Sequence, residues 1–163
     1  MENMIKVAVD AMGGDYAPKE AVKGSVAAVS EKENVQVLLV GKQEVLEQEL
    51  SQCSYPKERI QIVPASEVIE TGEPPVAAIR SKKDSSIVVG MKMVRKGEAD
   101  AFVSAGSSGA ILVGGTTIVG RIKGVERAPL APLIPTKEGV SLLIDCGANV
   151  DARASHLIQF ARM

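Results

Sequence analysis

Three times along the chain a short apolar run ends abruptly in a tight loop of small residues, carboxylates and hydroxyls. Residues 5–9 run into Asp10-Ala-Met-Gly-Gly-Asp15, residues 101–105 into Gly106-Ser-Ser-Gly109, and residues 141–144 into Asp145-Cys-Gly-Ala-Asn-Val-Asp151. Apolar runs this short, bounded by glycine, have the length of buried strands rather than of helices. Between them lie stretches with helical spacing. Ala21, Val22, Val26 and Val29 form a stripe after Pro18, whose missing N–H costs nothing at a helix start. Residues 35–40 read as a second strand stopped by Gly41, residues 43–51 as a polar-faced helix, and residues 60–63 as a third strand. Residues 51–56 read as a loop that holds Cys53, and Thr71-Gly-Glu-Pro-Pro75 breaks regular structure. Helices are expected over 75–83 and 85–96, divided near Asp84, and again from the 106–109 loop to about Arg121. A proline-rich connection, 128–135, leads to the strand at 141–144, and a helical stretch closes the chain. Such alternation predicts an α/β fold: a mainly parallel sheet with helices on both faces, three layers deep. The expectation is one α/β domain over 1–163.

Charge and composition narrow the function classes. Nineteen basic residues against twenty acidic ones give a net charge of -1, which argues against nucleic-acid binding held by bulk positive charge. Aromatic residues are 2% of the chain, with no tryptophan, so a base-stacking platform is also unsupported. With only Cys53, Cys146 and a single histidine, His156, a zinc site of four Cys and His ligands is excluded. Cys146 reads as a small core residue, and His156 as surface or interface. Sparse cysteine suits a reducing cytoplasm. Asp10 interrupts the start before a signal-type apolar core could form, and no run approaches the roughly 18 apolar residues of a spanning helix. A soluble, cytoplasmic protein is expected.

In a parallel sheet the three loops would all leave the carboxyl edge, where such folds bind ligands, and so would converge on one crevice. In Ser104-Ala-Gly-Ser-Ser-Gly109 the glycines Gly106 and Gly109 permit close backbone approach, Ser107 and Ser108 supply donors, and a helix begins at once. Helix-start amides favour an anion such as phosphate, although a plain turn capped by serine fits the same residues. In the first loop, Gly13 and Gly14 form the turn. Asp10, at a strand end, reads as functional, and Asp15 reads either as functional or as a helix cap. Asp145 again follows a strand, Asn149 can donate to a ligand oxygen, and Asp151 reads as an N-cap. Arg80, Lys82 and Lys83 form a basic cluster, either a solvated helix face or a greeting surface for an acidic partner. Leu157, Ile158 and Phe160 make an apolar face on the last helix.

Taken together and in order, Val9-Asp-Ala-Met-Gly-Gly-Asp15 with Ala17-Pro18, Lys82-Lys-Asp-Ser-Ser86, Ala101-Phe-Val-Ser-Ala-Gly106 and Asp145-Cys-Gly-Ala-Asn-Val-Asp151 resemble the PlsX family. Arg121-Ile-Lys-Gly-Val-Glu-Arg127 and Gln159-Phe-Ala-Arg-Met163 are similar to family segments too. These are the phosphate acyltransferases of bacterial phospholipid synthesis. The resemblance implies transfer of a fatty acyl group from acyl carrier protein to inorganic phosphate, giving an acyl phosphate that a membrane glycerol-3-phosphate acyltransferase consumes. It further implies a fold similar to isocitrate and isopropylmalate dehydrogenases, a homodimer, no cofactor or metal, and peripheral contact with the inner face of the membrane. On this reading Asp10, Asp145 and Asn149 serve catalysis. Gly13, Gly14, Asp15, Ser104, Gly106, Ser107, Ser108 and Gly109 bind phosphate or the acyl donor, and Arg80, Lys82 and Lys83 meet the acidic carrier protein.

The chain departs from the family pattern in places. Ser107 and Ser108 stand where the family has Asn and Thr, and Arg127-Ala-Pro129 replaces Arg-Pro-Ala. Cys146 replaces an aliphatic residue, and Ala154-Ser155 replaces Pro-Glu. Family members are considerably longer, so the chain corresponds to their N-terminal half. Two other functions are consistent with the sequence. One is a non-catalytic half that binds carrier protein or a complementary half; the other is a phosphotransacetylase-like acyltransferase.

Overall fold

The computed structural model describes residues 4–163. The chain divides into two compact units, Met1–Val119 and Gly120–Met163. In the first, strands β1 (Ile5–Asp10), β2 (Val35–Gly41), β3 (Ile60–Pro64) and β4 (Ala101–Val103) form one sheet in the order β3-β2-β1-β4. Every pairing is parallel, with Val7 opposite both Val37 and Ala101. Helices α1 (Lys19–Glu31), α2 (Gln43–Ser51), α3 (Pro75–Ser81), α4 (Ser86–Lys96) and α5 (Ser108–Gly114) fill the connections, and α5 runs on into a π-helical turn, Gly115–Val119.

The period-two alternation of the strands sorts their side chains onto two faces. Val37, Leu39 and Ile60 pack with Val22 and Val29 of α1 and with Leu46 and Leu50 of α2. Ala8, Leu38 and Val40 point the other way, toward Val89, Met93 and Val94 of α4. Helices thus cover both faces of a mainly parallel sheet, as the alternation of runs predicts. A third cluster, including Ile79, Ile87, Met91 and Ala110, joins α3, α4 and α5. Gly90 allows α4 to lie directly on Phe102, because an added Cβ would stand 2.6 Å from that ring's Cδ2.

Helix ends follow local chemistry. Ser85 caps α4 by accepting from the Val88 amide at 3.4 Å, and Gly97 ends the helix at a φ of 74°. The last turn of α1 has no basic residue of its own. Arg59, arriving from the short 3-10 turn before β3, supplies one by donating to the carbonyls of Lys32, at 2.7 Å, and Val29.

The second unit holds a hairpin, β5 (Leu133–Thr136) with β6 (Gly139–Leu142), and helix α6 (Ala154–Arg162). Here the structure corrects the sequence reading. The strand placed at 141–144 is not a member of the parallel sheet. Its residues through Leu142 pair antiparallel with β5, which the sequence presents only as a proline-rich connection. Pro135 is tolerated because a two-stranded ribbon consists of edges, and Lys137-Glu138 turns the chain between Thr136 and Gly139. Asp151 is not the N-cap of α6. Arg153 is, and the His156 ring nitrogen Nδ1 accepts from the Arg153 amide at 3.2 Å. His156 is buried rather than superficial, with Nε2 3.2 Å from a Glu126 carboxylate oxygen. The expected apolar face on α6 divides: Phe160 is buried, whereas Leu157 and Ile158 are exposed. Among the described residues, no helix is long and apolar enough to cross a membrane.

Candidate active site at the carboxyl ends of β1 and β4

Because β1 and β4 are neighbouring parallel strands, their following loops leave the same edge of the sheet side by side. The Asp100 carboxylate accepts from the Lys6 amide at 2.8 Å, while the Asp100 amide donates to the Lys6 carbonyl at 2.8 Å. That pair fixes the start of β4 against β1. At the far end Asp10 is 2% exposed, and both of its carboxylate oxygens are engaged. Oδ1 accepts from the Met12 amide at 3.1 Å, which curls the loop, and Oδ2 accepts from the Ser104 hydroxyl at 2.7 Å. Ser104 Oγ in turn accepts from the Gly106 amide at 3.0 Å.

One buried carboxylate therefore ties two loops that lie far apart in sequence. The glycines make room for it. A Cβ on Gly13 would overlap Asp10 Oδ2 and come within 2.9 Å of the Gly106 nitrogen. Gly14 has a φ of 104°, and a Cβ there would lie 3.1 Å from that of Ala105. The structure brings Asp10, Gly13, Gly14, Ser104 and Gly106 together at this edge.

The neighbouring predicted residues serve in different ways. Ser107 is buried and caps α5, its Oγ accepting from the Ala110 amide at 3.3 Å. The Gly106 N–H, expected to face an anion, is given to Ser104. Ser108 is exposed, and Gly109 lies against Pro75, 2.7 Å from where its Cβ would be. Asp15 is exposed and makes no cap for α1, whose N-cap is Pro18 without a side-chain bond. Beside Asp10 and Ser104 opens a cleft of about 480 Å³, lined by strand valines, by the α1 residues Ala21, Gly24 and Ala28, and by Tyr16. Sequence reasoning overlooks this cleft. Its signal is the run of small residues on α1, which the search for an apolar stripe passes over.

The basic cluster separates. The Lys82 ammonium bonds the Glu73 carboxylate, at 2.5 Å, and the Val68 carbonyl, at 2.6 Å, pinning the segment before α3. That bond and the Glu70 amide hold the Glu73 carboxyl below its ordinary range. Arg80 and Lys83 are exposed. The Ser66 hydroxyl and amide likewise depress the Asp84 carboxyl, at 2.6 and 2.9 Å.

Asp145 and Asn149 belong to the second unit and are bound mainly to their own loop. Asp145 Oδ1 accepts from the Leu130 amide at 2.6 Å, and Oδ2 accepts from the Asn149 amide at 2.7 Å and its side chain at 3.1 Å. Asn149 also donates to the Ala128 carbonyl at 3.1 Å. Burial pushes the Asp145 carboxyl up, but these amide bonds outweigh it and hold the group below the usual aspartate range. A depressed native pKa contributes stability above the unfolded-state value and loses it as pH falls through the native one. Acidification below the ordinary aspartate range is therefore expected to lower the protection factors of the Leu130 and Asn149 amide hydrogens, each taken against the intrinsic exchange rate at the same pH. Asp145→Asn should remove that acid dependence in an amide-exchange series. Among the described residues, no group of three or more His, Cys, Asp and Glu side chains is placed to hold a metal ion.

A family model described as fatty acid synthesis protein matches residues 5–163. The chain belongs to that family. Phosphate acyltransferase from Clostridium kluyveri is 50% identical over 157 residues, covering 96% of this chain and 47% of the relative. Its counterpart from Clostridium novyi is 48% identical over 159 residues, covering 98% and 48%. The chain thus spans about half the length of the curated relatives it matches. Among solved structures, a phosphotransacetylase from Streptococcus pyogenes superposes with a TM-score of 0.70 at 17% identity, covering 97% of this chain and 51% of that one. EutD phosphotransacetylase from Staphylococcus aureus gives 0.68 at 16% identity, with the same coverage. At such identities the two structures speak for the fold. Membership agrees with the family that the ordered loops resemble.

Proposed function

We propose that this chain carries part of the site of an enzyme that moves a fatty acyl group from acyl carrier protein onto inorganic phosphate. The observation that carries the reading is the Asp10–Ser104–Gly106 link at the carboxyl ends of two neighbouring parallel strands, the edge at which α/β sheets bind ligands. Family membership and half identity to phosphate acyltransferases support the same chemistry.

In the reaction a phosphate oxygen attacks the thioester carbonyl carbon. A C–O bond forms, the carbonyl electrons collect on oxygen, and collapse of that tetrahedral species breaks the C–S bond. The departing thiolate takes up a proton from solvent. Phosphate is itself the nucleophile, so the protein's task is positioning and stabilisation of the oxyanion. The helix-start amides around Ser108 and Gly109 have no partner one turn back and are the donors we assign to phosphate or the oxyanion. Asp10 acts through Ser104, holding the loop that presents those amides. The exposed Asp15 carboxylate orients a donor of the incoming substrate, while Asp145 and Asn149 shape the loop that meets the acyl donor. Arg80 and Lys83 supply positive charge for the acidic carrier protein, and Lys82 acts by pinning the segment before α3. The reading extends to a cytoplasmic homodimer without cofactor, touching the membrane peripherally. Its product passes to a membrane glycerol-3-phosphate acyltransferase.

The deciding experiment supplies long-chain acyl carrier protein thioester and labelled phosphate and traps acyl phosphate with hydroxylamine. Phosphate-dependent hydroxamate is the expected result. No hydroxamate from the folded chain, with a full-length relative active in the same assay, would overturn a catalytic role for this chain alone and favour a carrier-binding half. Equal turnover of acetyl-CoA would favour a phosphotransacetylase-like enzyme.

A further inference from the structure

We infer that the apolar cleft beneath α1 is the seat of the acyl tail, an assignment that rests on the transferase reading above. The cleft of about 480 Å³ lies within the usual size of small-molecule sites, roughly 300–1,000 Å³. Its two ends differ in chemistry. One is bordered by Asp10, Gly13 and Ser104, the link that marks the reacting end. From there the floor is Val7, Val9 and Val37, and the wall is Ala21, Gly24 and Ala28. Val103, on β4, is 54% exposed at its margin.

A tail whose polar head lies at the Asp10 and Ser104 end would run along α1 toward Ala28. The helix rises about 1.5 Å per residue, so its lining stretch from Glu20 to Ala28 is roughly 12 Å long. An extended carbon chain advances about 1.25 Å per bond, so an acyl chain of roughly ten carbons fills that length. The small side chains of α1 are what keep the space open. Next to Gly24 there is no atom within 4 Å of where a Cβ would be. An unbranched hydrocarbon suits such a cleft better than a polar group, because the strand floor offers side chains without donors or acceptors.

The test uses cis-parinaric acid, a fluorescent long-chain fatty acid, displaced by octanoate, dodecanoate and palmitate. Displacement should strengthen markedly from octanoate to dodecanoate and then level off. Gly24→Leu should weaken binding of the probe by about tenfold or more, since each buried methylene is worth roughly 0.8 kcal/mol, or about fourfold. Leucine is also the better helix former, so an unchanged circular dichroism spectrum separates blocked binding from unfolding. Ala28→Leu, at the far end, should weaken palmitate more than octanoate. Equal competition by octanoate and palmitate, or unaltered probe binding in Gly24→Leu, would overturn the assignment. So would a rise in melting temperature of Gly24→Leu with binding untouched, which would mark the cleft as packing space. The two readings fail separately. Tail binding without acyl phosphate formation removes the transferase and keeps the cleft, whereas turnover indifferent to Gly24→Leu does the reverse.

Discussion

Gly106→Val is expected to lower acyl phosphate formation by about two to three orders of magnitude while leaving the far-ultraviolet circular dichroism unchanged. The reason is crowding at one point. A Cβ on Gly106 would stand 3.2 Å from Asp10 Oδ2, 3.2 Å from Ser104 Oγ and 3.3 Å from Gly13 Cα. Valine adds two more methyl groups into that space. The buried Asp10 cannot yield, so the loop before α5 must move outward and carry its amides with it. A displacement of about 1 Å at a positioning site can cost roughly a hundredfold in rate. Gly115→Ala is the matched control, since nothing lies within 4 Å of a Cβ there. Hydroxamate yield over time reads both variants, and an unaltered rate in Gly106→Val would remove this loop from the chemistry.

The second large effect concerns stability. Asp10→Ala leaves the Ser104 hydroxyl and the Met12 amide facing a buried void where a carboxylate accepted both. Hydrogen bonds to a charged group are worth about 1.5–3 kcal/mol each, and a stranded buried donor costs about 1–3 kcal/mol. A loss of about 3 kcal/mol is expected, read from the urea midpoint. Asp10→Asn should recover part of it, because its carbonyl can still accept from one of the two donors. Equal midpoints for Asp10→Ala and the parent would mean that the link contributes no stability.

Much of the first unit was legible because its signals are local. Residues 35–40 are apolar but for Gln36 and residues 60–63 apolar but for Gln61, and short β-branched-rich runs of that length declare strands without further help. Ser85 and Gly97 bracket α4 as a serine cap and a left-handed glycine should. The pairing of Asp10 with Ser104 was legible only as a rule about sheet edges, since no spacing links residues that far apart. The hairpin was hidden for a physical reason. Pro132 and Pro135 remove donors that a central strand must have but an edge may lack, so β5 resembles a connection. The basic cluster misled in part because charge in a sequence does not say which ammonium is already spent. Lys82 meets Glu73 and a carbonyl, while Arg80, two residues away, stays exposed. Cleft residues such as Gly24 escaped because an empty space leaves no hydrophobic signature.

The sheet order gives the site a history in time. The central strand β1 is synthesised first, yet its neighbour β4 follows only after two other strands and four helices. Asp10 precedes Ser104 by 94 residues. At a synthesis rate of about 5–20 residues per second, the carboxylate waits roughly 5–20 seconds before its hydroxyl partner exists. During that interval β1 can pair with β2 and bury one flank, while its other edge stays open beside an unpartnered aspartate. Contacts of such long range also slow folding of the finished chain, because the loop must close before the bond repays it. The polar end of the site is therefore assembled in the last step of the sheet, after the scaffold on the other side of β1 is already in place.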